Sequence, residues 1–519
     1  MYASSYLCSI MSIIISLLLA LLLCAGTYWA LTKKQRRTPS LPSPPGDPVL
    51  GHLRYMPSLN ERDIIFHEWG RKYGDVFVMN ILGKSIIVIN SEKAANEIME
   101  KRSAIYSDRP PIPLLERCGW KDGLVIAGYG PLWAAQRKMM QRPMSKATIM
   151  EYRDIQEREA DLLMLGLLEQ PQEYFKLLRR FTAGTLMAII YGHRIRSLDD
   201  KHYKLAEDID SLHPSVYPSL LDISPYFAYL PSWFPGAWFV DYIKETRPIL
   251  LNMIRMPLER AWQEVLSDSV TMPSYASNHL RAASKDGKIS EQDWWTIGMS
   301  SSQLITGGID TSFQTLQWFI VCILLHPEVQ VKAQCQIDEM VGRDRLPHFT
   351  DKDALPYVQC VVHEVMRWLP VVPLGIPHKS TSEDVYEGMR IPKGAIVMVN
   401  SRSLTWDENV FHEPRQFKPE RFLPQPEGAG ETFPANSVFG WGRRICPGRH
   451  LAEATIWLAI ARILAVFTIS KAKDANGNTI DPDIKWDTGL VRHPEPFLFD
   501  IVPRDDKASE FIKNLNLHD

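Results

Sequence analysis

The residues best suited to chemistry fall in four short stretches of a 519-residue chain. The richest is FGWGRRICPGRHLAEATIWLAIARIL, residues 439–464. Gly440, Gly442, Pro447 and Gly448 shape a tight loop, and a helical pattern follows it. Cys446 therefore sits near a helix N-terminus, where backbone N–H groups and the positive dipole end favour a thiolate. Arg443, Arg444 and Arg449 add positive charge. That is the setting an axial thiolate ligand to iron needs. A buried structural cysteine is the competing reading.

The second stretch is GGIDTS, residues 307–312, inside a long apolar run. Each glycine costs a helix roughly 1 kcal/mol against alanine. Paired glycines beside Asp310 and Thr311 predict a helix distortion or a close ligand approach. The third is Glu364 and Arg367, three apart and so on one helical face. An exposed pair would contribute a few tenths of a kcal/mol. The flanking run YVQCVVHEVMRWL is strongly apolar, which predicts a buried pair needing a further partner. The fourth is Trp133 and Arg137, four apart; alone they read as a packed indole with a covering guanidinium.

Several elements must hold these residues. Ser290 with Asp293 forms a capping signature, and the helix it opens must end near His326, before Pro327. That helix is apolar nearly all round, so it is predicted to be buried. Short β-like runs sit at residues 76–90 and 384–400, and the pattern between them is mostly helical. No repeat or second linker divides the body, which predicts one large domain over residues 51–519.

The first residues differ from the rest. No charged residue or histidine precedes Lys33, and 20 of the 25 residues from 7 to 31 are hydrophobic. As a helix this run spans roughly 37 Å, enough to cross a bilayer core of about 30 Å. Lys33, Lys34, Arg36 and Arg37 follow it. Residues 1–37 therefore read as a single transmembrane signal anchor, with the body in the cytosol. A cleaved signal peptide would carry its charges first and have a shorter apolar run. Residues 38–50, with five prolines, read as a stiff hinge. A net charge of −2 argues against a nucleic-acid-coating protein. Seven scattered cysteines, an odd number, do not form a secreted disulfide framework.

The Cys446 segment resembles the haem-binding signature of the cytochrome P-450 family, F-x-x-G-x-R-x-C-x-G, through Phe439, Gly442, Arg444, Cys446 and Gly448. GGIDTS resembles the family's oxygen-activation motif, and Glu364 with Arg367 resembles its E-x-x-R pair. PERF supplies Arg421, and Trp133 with Arg137 matches a W-x-x-x-R helix pattern. The resemblance spans essentially the whole chain and resembles microsomal, fungal-type members. It implies a mainly α fold with small β-sheets, preceded by the single N-terminal transmembrane helix.

The resemblance also implies site roles. Cys446 would ligate the iron of haem b, iron protoporphyrin IX. Asp310 and Thr311 would move protons to iron-bound dioxygen. On the residues alone, Asp310 also reads as a helix-interior salt bridge and Thr311 as a hydroxyl bonded to its own helix. Trp133, Arg137, His378 and Arg444 would reach the haem propionates. Glu364, Arg367 and Arg421 would form a structural network.

The implied reaction is insertion of one oxygen atom of O2 into a hydrophobic small molecule: a terpenoid, steroid, fatty acid, polycyclic aromatic or other secondary metabolite. Electrons would come from NADPH through a separate NADPH–cytochrome reductase, at an endoplasmic reticulum membrane, to a monomer. Arg137, Lys138, Arg142, Arg443 and Arg449 are the expected docking face, with an ordinary solvated charge cluster as the alternative. Residues 109–130 and the aromatic stretch 214–240 are expected to select substrate. Trp233, Phe234, Trp238 and Phe239 are expected at the membrane interface. An isomerase or dehydratase of the same family, and a non-catalytic haem-binding membrane protein, are the alternatives. The intact Asp310–Thr311 pair argues against both.

Overall fold

The computed structural model describes residues 39–211, 221, 225–487 and 489–515. The expected membrane anchor lies outside these residues, as do 212–220 and 222–224 of the aromatic stretch. The described chain is mainly helical with three small sheets.

Strands β1 (Val76–Ile81) and β2 (Lys84–Ile89) form an antiparallel hairpin. Leu82 and Gly83 turn it with φ of 47° and 82°. Both central residues are left-handed, the geometry that matches the twist of two strands. Strands β3 (His378–Lys379), β4 (Asp384–Tyr386), β5 (Met389–Ile391) and β6 (Ile396–Val399) come from the second β-like run. The main sheet has the order β1-β2-β6-β3, with β2 and β6 parallel, while β4 and β5 pair apart from it. Strands β7 (Phe467–Lys471) and β8 (Phe499–Pro503) make the third sheet. The proline-rich stretch expected as a hinge is laid along the β region. Leu41 is buried, Ser40 bridges Arg390, and the Pro42 carbonyl accepts from the Val78 amide at 2.8 Å.

Seven helices position the site: α1 (Pro131–Gln141), α2 (Arg153–Glu169), α3 (Tyr174–Tyr191), α4 (Phe239–Leu266), α5 (Glu291–Leu325), α6 (Pro356–Trp368) and α7 (Arg449–Val466). Helix α5 starts and stops where the sequence predicts. The Ser290 side chain accepts from the Asp293 amide, and His326 caps the end before Pro327. It serves two cores. Its C-terminal half, with Phe313, Leu316 and Trp318, packs with α2, α6 and α7. Its N-terminal half, with Ile297, Leu304, Ile305 and Ile309, packs with α1, α3 and α4. It is the one described helix long and apolar enough to cross a membrane, yet 78% of its apolar window is buried in protein. It is therefore the core helix that its all-round apolar pattern predicts.

The paired glycines do not interrupt α5, which is helical from end to end. They do two other things. A Cβ on Gly308 would come within 2.7 Å of Leu186, so this glycine lets α3 approach. A Cβ on Gly307 would meet nothing within 4 Å, so this one faces open space. Of the two expectations, close approach of a ligand is the one that fits Gly307.

Candidate active site

The cysteine loop is built by left-handed glycines and close packing. Gly440 and Gly442 have φ of 87° and 56°. A Cβ on Gly442 would sit 2.5 Å from the Met99 carbonyl oxygen, so backbone crowding demands glycine there. The Cys446 amide donates to the Phe439 carbonyl at 2.8 Å and closes the loop. Helix α7 then begins at Arg449, capped by Gly448. Leu451 of α7 packs in the same core as Ile305 and Ile309 of α5, so the loop and the GGIDTS segment are held by one framework.

Burial is the largest influence on the Cys446 thiol and pushes its pKa up. The Gly448 and Arg449 amides and the Arg137 and Arg449 cations pull the other way without winning. The sequence predicted that dipole and arginines would favour the thiolate; desolvation outweighs them. A bound metal ion reverses that balance, because coordination deprotonates a thiol outright.

Two guanidinium side chains, Arg109 and Arg444, and the imidazole of His378 gather beside this loop. Arg109 and Arg444 are buried or nearly so, and both disfavour charge on His378. Burial and these two neighbours hold His378 well below its ordinary pKa. Burial also lowers Arg444, to about 10. Arg444 stacks on the Trp133 ring at 4.6 Å and donates to the carbonyls of Ser107, Leu124 and Ala127. Arg109 donates to the carbonyls of Val125, Ile376 and Pro377. His378 Nδ1 donates to the Tyr106 carbonyl at 2.7 Å. The adjacent carboxylate, Asp108, is taken up by Lys379 at 2.8 Å. Arg444 disfavours charge on Arg109, and the carboxylate that acts on both, Asp108, is shared with Lys379, so this pair fits a ligand with acid groups. A porphyrin with two propionates has that chemistry, and Cys446 in the adjoining loop would supply a thiolate to its iron. The residues therefore fit the haem.

Arg137 lies on the cysteine side. Its Nη1 donates to the Ile445 carbonyl at 2.6 Å; burial lowers its pKa, and the Cys446 sulfur works against that shift. Arg137, Lys138 and Arg449 line a cleft of about 500 Å³ together with Lys146 and His450. Of the other expected docking residues, Arg443 is engaged with the Tyr129 hydroxyl and ring, and Arg142 is exposed outside that lining.

Sequence reasoning passed over Arg109. It follows the first sheet in SDRPP and has no motif of its own. Only folding sets it against His378, 269 residues away. We expect Arg109→Leu to speed haem loss from the holoprotein by about tenfold, the scale of one charge-assisted hydrogen bond. Haem transfer to apomyoglobin measures it; an unchanged rate would remove Arg109 from the site.

Glu364, Arg367 and Arg421 form one buried network. Arg367 donates from Nε and Nη2 to the two Glu364 oxygens at 2.7 and 2.8 Å. Arg421 Nε reaches Glu364 Oε1 at 3.1 Å, and its Nη1 reaches Glu431 at 2.8 Å. Glu431 is a fourth member with no counterpart in the sequence reading.

Asp310 and Thr311 are adjacent in α5 but bond in different directions. The Thr311 hydroxyl donates to the Gly307 carbonyl at 2.7 Å. Asp310 Oδ1 accepts from His493 Nε2 at 2.9 Å and from Gln314 Nε2 at 3.3 Å. Both residues thus make the helix-local or salt-bridge contacts weighed as alternatives for them, while lying beside the open face at Gly307.

Over the remaining face, the two candidate selective segments meet. Leu114 and Cys118 pack with Leu221, Ala237, Phe239 and Leu250. Phe239, expected at a membrane interface, is instead buried in this cluster because it opens α4 against the first segment. Trp233, Phe234 and Trp238 remain exposed, as do Tyr226 and Tyr229.

The chain matches the family described as Cytochrome P450 over residues 41–501. It is similar to Cytochrome P450 monooxygenase 136 of Postia placenta, 36% identical over 93% of this chain and 92% of that protein. Cytochrome P450 monooxygenase 98 of the same fungus is 38% identical over 95% and 97%. Tryptamine 4-monooxygenase of Psilocybe cyanescens is 34% identical over 97% and 100%.

Proposed function

The chain belongs to the cytochrome P450 monooxygenases, and from that premise we propose a haem-thiolate enzyme that oxygenates a hydrophobic small molecule. The observation that carries this reading is the pair of guanidiniums, Arg109 and Arg444, set with the His378 imidazole beside the Cys446 loop. When bound, haem b supplies the redox chemistry, activating O2 for insertion of one oxygen atom into a C–H bond. The chain's own residues do the rest. Cys446 Sγ holds the iron. Arg109, His378 and Arg444 bind the propionates, Trp133 braces Arg444, and Arg137 adds positive charge on the cysteine side. The Thr311 hydroxyl, released from the Gly307 carbonyl, would hold a water on this side of the site. Asp310 passes protons toward it.

Electrons from NADPH reach the site through a separate reductase. The cleft lined by Arg137, Lys138, Lys146 and Arg449 supports an acidic partner on the cysteine side. The apolar N-terminal run with its following basic residues supports a single-pass endoplasmic reticulum anchor and a cytosolic catalytic domain. Exposed Trp233, Phe234 and Trp238 support contact with the bilayer and uptake of greasy substrates from it. Substrates of secondary metabolism fit the fungal relatives.

Microsomes carrying the full chain and a reductase test the reading. The reduced carbon-monoxide complex is expected to show the shifted Soret band, and hydrophobic compounds to perturb the ferric spectrum. A folded protein without that band overturns it. Thr311→Ala is expected to keep the band but to lower product formed per NADPH about tenfold, with the electrons appearing as peroxide. Unchanged coupling would remove Thr311 from proton handling. An isomerase that needs no reductase would turn over a peroxide without NADPH.

A further inference from the structure

The partner of Asp310 comes from the far end of the chain. His493 sits in the loop before β8, 183 residues from Asp310. Its imidazole is held from both sides: Nε2 lies 2.9 Å from Asp310 Oδ1, and Nδ1 lies 3.0 Å from Asp487 Oδ2. Both Asp310 bonds, from His493 and Gln314, fall on the same oxygen. The Asp487 side chain is about one-third exposed and the imidazole about one-fifth, so solvent reaches this end of the row.

The loop is fixed well enough to hold that geometry. The neighbouring Arg492 is buried, and its Nη2 pairs with Asp63 at 2.8 Å. Its amide donates to the Val371 carbonyl, and its own carbonyl accepts from Trp318 Nε1 of α5. The Asp487 amide donates to the His493 carbonyl at 3.0 Å. His493 is therefore anchored to the same helix that carries Asp310 and Thr311.

We propose that His493 is the proton donor that loads Asp310, with Asp487 holding its imidazole, so that protons enter the site through the C-terminal loop. This rests on the monooxygenase reading given above. In the step, the Nε2–H bond breaks and the proton forms a bond to Asp310 Oδ1. The imidazole becomes neutral and keeps its Nδ1 proton on Asp487. Solvent water then returns a proton to Nε2. No electron moves. His493 acts through Asp310 and is a positioning and proton-loading residue. Burial works against its charge, yet the bonds and charges of Asp310 and Asp487 raise its pKa to about 10. It is thus loaded with a proton throughout the neutral range. Asp487 is held below the usual carboxylate range, against its burial, by His493 and by the amides of Gly489 and His493.

The test uses the full chain with a reductase in microsomes. His493→Arg keeps a cation between the two carboxylates but holds its proton far more tightly than the imidazole does. It is expected to retain the carbon-monoxide band and substrate binding, to lose about tenfold in product per NADPH, and to raise the solvent isotope effect on turnover. Wild-type coupling and isotope effect in this variant would make the ion pair purely structural and overturn the proposal. Asp487→Asn is the second arm, because it leaves the contact with Asp310 in place. It lowers the His493 pKa, so coupling should fall as pH rises from 6 to 8, where the wild type stays flat. A profile superimposable on the wild type also overturns the proposal.

A third readout needs no turnover. The folded pKa is raised, so the stability this pair contributes is complete below the unfolded value of 6.5 and is lost as pH approaches 10. Unfolding midpoints should therefore fall more steeply over that window in the wild type than in His493→Gln. Equal slopes would contradict the charged imidazole. Absence of the carbon-monoxide band or of product in the wild type would instead defeat the underlying monooxygenase reading.

Discussion

Replacing Cys446 by serine abolishes the shifted Soret band of the reduced carbon-monoxide complex and lowers product formation to less than roughly a thousandth. The size follows from the role proposed for Cys446 as the iron ligand. A thiolate pushes electron density to the iron and favours O–O cleavage, whereas a neutral hydroxyl does not. A thousandfold loss corresponds to about 4 kcal/mol of transition-state stabilisation. The fold should survive. The loop is held by its backbone, through the Cys446 amide on the Phe439 carbonyl and the glycines at 440 and 442, and serine is slightly smaller than cysteine. Circular dichroism and the haem difference spectrum on one sample separate the two effects. A serine variant that keeps the shifted band would show that Cys446 does not hold the iron. Because burial raises the Cys446 pKa, the haem-free wild type should also react slowly with thiol reagents at neutral pH, since the thiolate is the nucleophile.

Replacing Glu364 by alanine destabilises the protein by about 3–5 kcal/mol, the cost of stripping the partner from buried charges. Glu364 is fully buried and accepts four hydrogen bonds: two from Arg367, one from Arg421 Nε and one from the Lys418 amide at 2.8 Å. Without it, Arg367 keeps only the carbonyls of Thr405, Pro414 and Gln416. Arg421 keeps Glu431 and nearby carbonyls. The urea midpoint measures the loss, and haem content should fall with it. The network ties α6 to residues 405–421, the stretch of chain that leads toward the cysteine loop. Glu413→Gln is the matched control. Glu413 pairs with Lys418 at the surface, and such pairs contribute at most about 1 kcal/mol. Equal midpoints for Glu364→Ala and the wild type would show that the network does not carry the fold.

Much of this was legible before folding because it is local. The cap at Ser290, the end at His326 and the loop around Cys446 depend on neighbours within a few residues. Hydrogen bonds and dihedral limits at that range follow directly from residue type. Glu364 and Arg367 were legible for the same reason, since three residues of helix put both on one face. Their burial could be read from the apolar run around them.

What the tertiary structure decided lies in pairs far apart in the chain. Arg109 meets His378 and Arg444, Glu364 meets Glu431 through Arg421, and Asp310 meets His493. No local rule links these positions, because only the packing of helices and sheet makes them neighbours. The structure also refined two local expectations. Gly307 and Gly308 leave α5 uninterrupted; one admits α3 and the other faces open space. The dipole and arginines near Cys446 lose to desolvation, because burial depends on the whole surrounding fold. The sequence by itself determined the family and the local elements that carry Cys446, Asp310 and Thr311. The fold decided which distant charges stand together, setting Arg109 beside Arg444 and His493 against Asp310, because only packing makes those positions neighbours.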